Sequence, residues 1–172
     1  MLCRLFPEPL LRSLVAVGMI VLGAAHVAAA PATPATPAVL PFDGGTWQAL
    51  TRAPQRPLAV VFSSTDCSHC PKVIDDMAAA IRKSRNKAQP GAQLIVVVMD
   101  GARQEAALRT APHTRNAQRL YVFTDDPQAL RYTVNPDWRG LTPYVALIPL
   151  QGAPRFYTGA PPAAALAAFL LP

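Results

Sequence analysis

Cys67-Ser68-His69-Cys70 stands between a continuous apolar run, Leu58-Ala59-Val60-Val61-Phe62, and a stretch whose apolar residues Val73, Ile74, Met77, Ala78 and Ile81 recur at helical spacing. A short run that is apolar at every position fits a strand buried on both faces. The spacing of the second set puts its apolar residues on one face of a helix. The cysteine pair is therefore expected at the turn from a buried strand into an amphipathic helix. A second apolar run, Leu94 to Met99, follows and ends at the turn residues Asp100-Gly101. Strand, helix and strand in that order make the crossover unit of a parallel sheet.

This placement bears on thiol chemistry. The first turn of a helix presents unpaired N–H groups and the positive end of its dipole, and both favour thiolate over thiol. Cys67 is expected to gain most and to be the exposed nucleophile. Cys70, three residues on, is expected to reach the Cys67 sulfur and resolve a mixed disulfide. Protonated His69 would further stabilise the Cys67 thiolate, and the neighbouring charge of Asp66 would oppose it. A purely structural staple is a poor alternative, because so short a loop constrains the unfolded chain little. A metal site would need more ligands than the pair supplies. Two thiolates with His69 or His113 would suit a thiophilic ion such as Cu(I), but structural zinc wants four ligands and no second cysteine pair exists. No metal or organic cofactor is assigned. His113, between Pro112 and Thr114, reads as a solvated loop histidine.

The N-terminus reads as an export signal. Arg4 and Arg12 precede an apolar stretch from Ser13 to Ala25, shorter than the roughly 20 residues of a membrane span. Val27-Ala28-Ala29 before Ala30 has the small residues of a cleavage site. Residues 1–29 are thus expected to be a signal peptide, with an uncleaved anchor as the alternative. Either outcome puts the remainder outside the cytoplasm, in a disulfide-permissive compartment such as the periplasm. Of three cysteines, Cys3 would leave with the signal and only the pair would remain. Residues 30–41, punctuated by proline, favour extended polyproline II and are expected to form a Pro/Ala-rich leader. Residues 42–172 are left for one domain, and a chain that is 51% hydrophobic has ample material for its core.

The remaining segments complete an alternating pattern. Thr46 is expected to cap a helix through about Leu50, with Trp47 and Leu50 on one face. Arg103 to Arg109 reads as a short helix and Arg119 to Phe123 as a strand. Asp126-Pro127 starts a helix to about Tyr132. Tyr144 to Ile148 is a further strand, forming a hairpin with Arg155-Phe156-Tyr157. Pro161 begins a final helix with Leu166, Phe169 and Leu170 inward. Trp47 and Trp138 read as packing residues, and Asp75 and Asp76 as surface partners of Lys72 and Arg82. The net charge of +6 is spread along the chain, and the basic run from Arg82 to Lys87 has no interleaved aromatic. Nucleic-acid binding is therefore not expected. Those cations suit the C-terminal end of a helix.

The Cys-x-x-Cys at a strand-to-helix turn, together with Gly140-Leu141-Thr142-Pro143 before the strand Tyr144 to Ile148, resembles the thioredoxin-like superfamily over roughly Trp47 to Pro172. Tyr121 to Tyr132 falls where the extracytoplasmic TlpA/ResA/DsbE group carries an inserted strand and helix. The resemblance implies an α/β fold: a central mixed sheet flanked by helices, with that insertion before a cis-proline. It implies that Pro143 is cis and that the Thr142 backbone pairs with substrate. It further implies an exported thiol–disulfide oxidoreductase that reduces disulfide-bearing client proteins and is recharged by a membrane or periplasmic dithiol donor. An oxidase or isomerase of the DsbA/DsbC type, which His69 favours, and a copper-binding protein on the same fold are the alternatives. The family's tryptophan before the first cysteine is replaced by Asp66, its buried acid falls on Val61, and Pro71 directly follows the second cysteine.

Overall fold

In the computed structural model the described residues are 38–52, 57–85 and 91–171. All lie within one compact unit, Pro34–Pro172. The export signal, Cys3, most of the leader and Lys87 lie outside them.

Strand β1 (Val39–Phe42) leads into helix α1 (Gly44–Arg52), then β2 (Leu58–Ser63), α2 (Cys70–Ser84) and β3 (Gln93–Val98). After them come α3 (Glu105–Thr110), a single 3-10 turn (Thr114–Asn116), β4 (Arg119–Phe123) and α4 (Pro127–Val134). The chain closes with β5 (Tyr144–Ile148), β6 (Arg155–Thr158) and α5 (Ala163–Leu170). The six strands form one sheet in the order β1-β4-β3-β2-β5-β6. β1, β4, β3 and β2 run parallel, whereas β5 and β6 are antiparallel additions. This is the mixed sheet with flanking helices expected from the sequence. The strand–helix segment before the cis-proline is present too, with β4 lying between β1 and β3.

Alternation along the central strand builds the two layers. Ala59 and Val61 face a core made with Val73, Ile74, Met77 and Ile81 of α2, all buried. Leu58, Val60 and Phe62 face the other core, with Trp47 and Leu50 of α1 and Leu130 and Val134 of α4. Every residue of β2 is buried, as its unbroken apolar run requires. The aromatic layer is concentrated on Phe62, whose ring centroid lies 4.9 Å from Trp138, 5.8 Å from Phe42 and 6.0 Å from Trp47. Edge-to-face and tilted packing of this kind adds to the area each ring buries.

Three local expectations need correction. The leader expected over 30–41 gives its last residues to the sheet, because Val39–Phe42 pairs with β4. Proline is tolerated there because β1 is an edge strand, where Pro41 leaves no interior ladder short of a donor. The cap of α1 is Asp43 rather than Thr46. Its carboxylate accepts from the Thr46 N–H at 2.6 Å and from the Thr46 hydroxyl at 2.8 Å, which hold the Asp43 carboxyl below its ordinary value. On α2, Lys72 pairs with Asp76 at 2.7 Å as expected, but Asp75 accepts from the Asn116 amide instead of Arg82. Asp126 does cap α4, accepting from the Ala129 N–H at 2.7 Å.

Because five aromatic neighbours surround the fully buried Phe62, Phe62→Ala is expected to lower the unfolding free energy by about 3–5 kcal/mol. A urea titration followed by tryptophan fluorescence measures it, and a loss under 1 kcal/mol (on the order of a surface change) would contradict this packing.

Candidate functional site

The register of β2 against β5 assembles the site. Phe62 is opposite Tyr144, so the residues after Phe62 and those before Tyr144 emerge at the same end of the sheet. After Phe62 come Ser63, Ser64 and the cysteine turn; before Tyr144 come Thr142 and Pro143. The Thr142–Pro143 peptide is cis. The hydroxyls of Ser64 and Thr142 lie 3.1 Å apart and tie the two loops together. β3, parallel to β2, ends at the same edge and delivers Asp100. Its carboxylate accepts from the Thr65 N–H at 2.9 Å and from the Thr65 hydroxyl at 2.6 Å, clamping the turn just before the cysteines.

Cys67 and Cys70 are joined in a disulfide, with their α-carbons 5.5 Å apart. Their exposure is unequal. Cys67 is half-buried, and Cys70 is buried completely. α2 starts at Cys70, later than a first turn reaching back to Cys67 would require. Cys67 belongs to the preceding turn, in which the Cys70 N–H donates to the Cys67 carbonyl. Pro71 occupies the first turn of α2, where a missing N–H costs no intrahelical bond. Both sulfurs still lie at the positive end of a 15-residue helix. His69 and Asp66 flank Cys67 as exposed side chains, and neither makes a hydrogen bond among the described residues.

The proline loop is braced from below. The Trp138 indole N–H donates to the Leu141 carbonyl at 2.9 Å. Its ring stacks on Tyr144 at 4.5 Å, and Tyr144 stacks in turn on Phe156 at 5.8 Å. The Pro143 carbonyl accepts from the Gly159 N–H at 2.8 Å. Among the described residues the backbone N–H and C=O of Thr142 make no hydrogen bond, and Leu141 beside it is 63% exposed. The loop thus leaves the Thr142 backbone unpaired at the end of the sheet that also carries the cysteine turn. Trp138, read as a packing residue, packs and also fixes this loop.

Three contributors escaped the sequence reading. Asp100 looked only like a turn residue, although its place at the end of the strand beside β2 was a usable signal. Gln104 and His113 line a cavity of about 160 Å3 that Cys67, Ser64 and Pro71 also line. His113 is half-buried there, not a solvated loop residue. The reason is the adjacent Thr114, which is fully buried and donates its hydroxyl to the Leu108 and Ala111 carbonyls, pinning the turn against α3. Among the described residues no three His, Cys, Asp or Glu side chains converge in a metal-ligand group.

No family model and no curated protein matches the chain. Solved structures do. A secreted thiol-disulfide isomerase from Corynebacterium glutamicum superposes with a TM-score of 0.51 at 13% identity, over 67% of this chain and 69% of its own. An uncharacterised thioredoxin-like protein from Porphyromonas gingivalis has a TM-score of 0.49 at 14% identity, over 67% of this chain and 76% of its own. A secreted Mycobacterium tuberculosis disulfide oxidoreductase, described as homologous to E. coli DsbE, has a TM-score of 0.47 at 15% identity, over 75% and 86%. At such identities the common property is the fold. The chain has a thioredoxin-like fold, with its cysteine pair at the mouth of α2 and the cis Thr142–Pro143 peptide at the same end of the sheet.

The phenol of Tyr144 supplies a pH test of the bracing. Burial raises its pKa above the ordinary 10.0, and the nearby Asp137 charge adds to this, against the lowering effect of the Asn135 amide that donates to its oxygen at 2.6 Å. The folded state therefore holds the phenolic proton more tightly than the unfolded chain. Its contribution to stability is complete below pH 10.0 and is lost as pH rises through the higher folded value. Absorbance titration should show a late-ionising tyrosine that is absent in Tyr144→Phe. Alkaline unfolding should be correspondingly steeper in the wild-type protein than in the variant.

Proposed function

We propose that this chain is an exported protein thiol–disulfide oxidoreductase that reduces disulfides of client proteins through Cys67 and Cys70. The observation that carries the reading is the asymmetric pair: a partly exposed Cys67 at the same sheet end as an unpaired backbone edge, bonded to a fully buried Cys70. The secreted thiol-disulfide isomerase that shares the fold supports the same reading and an extracytoplasmic location. No helix among the described residues is long and apolar enough to cross a membrane.

In the reduced protein the Cys67 thiolate attacks one sulfur of the client disulfide. A mixed disulfide forms and the client's other sulfur leaves as a thiolate. Thr142 pairs with the client backbone while Pro143, lacking an N–H, offers no competing donor. Deprotonated Cys70 then attacks the Cys67 sulfur, and the second client thiolate departs. Two electrons have passed to the client, and the Cys67–Cys70 disulfide remains. A membrane or periplasmic dithiol donor restores the dithiol by the same exchange in reverse order. His69, whenever it carries a proton, favours the Cys67 thiolate through space, and the Asp66 carboxylate opposes it. For the copper-binding alternative, no third His, Cys, Asp or Glu side chain converges with the pair among the described residues.

Replacing Cys67 by serine should abolish insulin-disulfide reduction, whereas Cys70→Ser should retain attack and accumulate a mixed disulfide on Cys67 visible by mass under non-reducing conditions. Full activity in Cys67→Ser would sink the mechanism. The direction of electron flow is read separately by equilibrating the pair with glutathione. A reductase should lie closer to the roughly −270 mV of thioredoxin than to the roughly −120 mV of DsbA; a value near the latter would reassign the chain as an oxidant.

A further inference from the structure

The loop that carries Pro143 borders a second hollow, which sulfur exchange does not use. Arg131 and Tyr132 of α4, with Trp138 and Arg139 of the following loop, help line a cavity of about 300 Å3. Arg131 and the exposed Arg139 thus line one hollow, and Arg131 lies against Gly140, two residues before Thr142. Among the described residues neither is ion-paired, although Asp137 stands close by in sequence, and neither donates a side-chain hydrogen bond. Arg131 is half-buried in this position. A guanidinium carries five donors in a fixed fork and is matched by a carboxylate.

Arg131 is also placed with some care. At Gly140, whose φ is +83°, an added Cβ would overlap the Arg131 guanidinium. Glycine there supplies both the left-handed turn and the space for the arginine. Position in the last turn of α4 gives Arg131 a favourable dipole interaction. That interaction does not account for Arg139, which lies beyond the helix, or for the hollow between them. Gly140 leads directly through exposed Leu141 to Thr142, so apolar contact, backbone edge and cationic hollow follow one another along a single loop.

We propose that this hollow binds a carboxylate of the client polypeptide, making Arg131 and Arg139 specificity-determining residues for clients whose reacting cysteine has an acidic neighbour and an apolar residue to cover Leu141. The proposal rests on the oxidoreductase reading and names its substrate class. A carboxylate entering the hollow replaces water around both guanidiniums with charge-assisted hydrogen bonds.

The test uses the full chain in its reduced form and two disulfide-bonded peptides that differ only by Glu or Gln beside the reacting cysteine. Bis(2-hydroxyethyl) disulfide serves as a small neutral substrate with no carboxylate to offer the hollow. Exposed charge pairs contribute roughly two- to fivefold per arginine. The Glu peptide should therefore be preferred in kcat/KM at low salt, and the preference should fall as salt is raised. Arg139→Gln should reduce it, Arg131→Gln with Arg139→Gln should abolish it, and Arg131→Lys should retain part of it. All variants should keep the wild-type rate with the neutral disulfide. Equal rates for the two peptides in the wild type, or an undiminished preference in the double variant, overturn the proposal. So does arginine-dependent sedimentation with phosphatidylglycerol vesicles without peptide preference, which would assign the hollow to a lipid surface. Absence of exchange with all three disulfides defeats the oxidoreductase reading itself.

Discussion

The antiparallel pairing of β2 with β5 is the constraint on which the rest of the site depends. It sets Phe62 against Tyr144, and so brings a turn at residue 67 and a cis peptide at residue 143 to one edge of the sheet. Neither loop is held by its own sequence alone. The Ser64–Thr142 contact, the Asp100 clamp on Thr65 and the Trp138 bond to the Leu141 carbonyl each join segments that the register has already made neighbours. A slip of one residue would turn every inward side chain of β5 to the opposite layer. Burial on both faces of the sheet makes that slip prohibitively costly.

The two sides of the sheet contribute differently to the site. The aliphatic layer carries α2, and its buried stripe from Val73 to Ile81 fixes the axis at whose mouth the sulfurs lie. The aromatic layer carries the support for the proline loop, through the stack Trp138–Tyr144–Phe156. Phe62 connects them, since it belongs to the strand that leads to Cys67 while its ring packs on Trp138. Rigid support on both sides matters for thiol–disulfide exchange. In the proposed exchange, the attacking sulfur and the client backbone are held in a fixed relation while the disulfide breaks.

Much of this was legible in the chain. The runs Leu58–Phe62, Leu94–Met99 and Tyr144–Ile148 announced strands, because a strand buried on both faces must be apolar at every position. The stripe of α2 and the Asp126-Pro127 start of α4 were equally local signals. The candidate residues Cys67, Cys70, Thr142 and Pro143 could be singled out by motif and context. What escaped was long-range or ambiguous. Val39–Phe42 reads as part of a proline tract, and only its partner β4 makes it a strand. Thr46 and Asp43 are both capable helix caps, and the choice depended on where the chain left β1. His113 looked like loop chemistry because nothing near it in sequence reveals the buried Thr114 anchor or the cavity shared with Cys67.

The sequence by itself therefore determined the chemistry available: one thiol pair at a strand-to-helix turn, and a proline before the strand that would face it. Hydrophobic period and local hydrogen-bonding capacity are properties of neighbours along the chain, so they can be read there. Only the tertiary structure decided which cysteine is partly exposed, which carboxylate clamps the turn, and which two arginines share a hollow. Those outcomes depend on strand order and register, which bring together residues tens of positions apart.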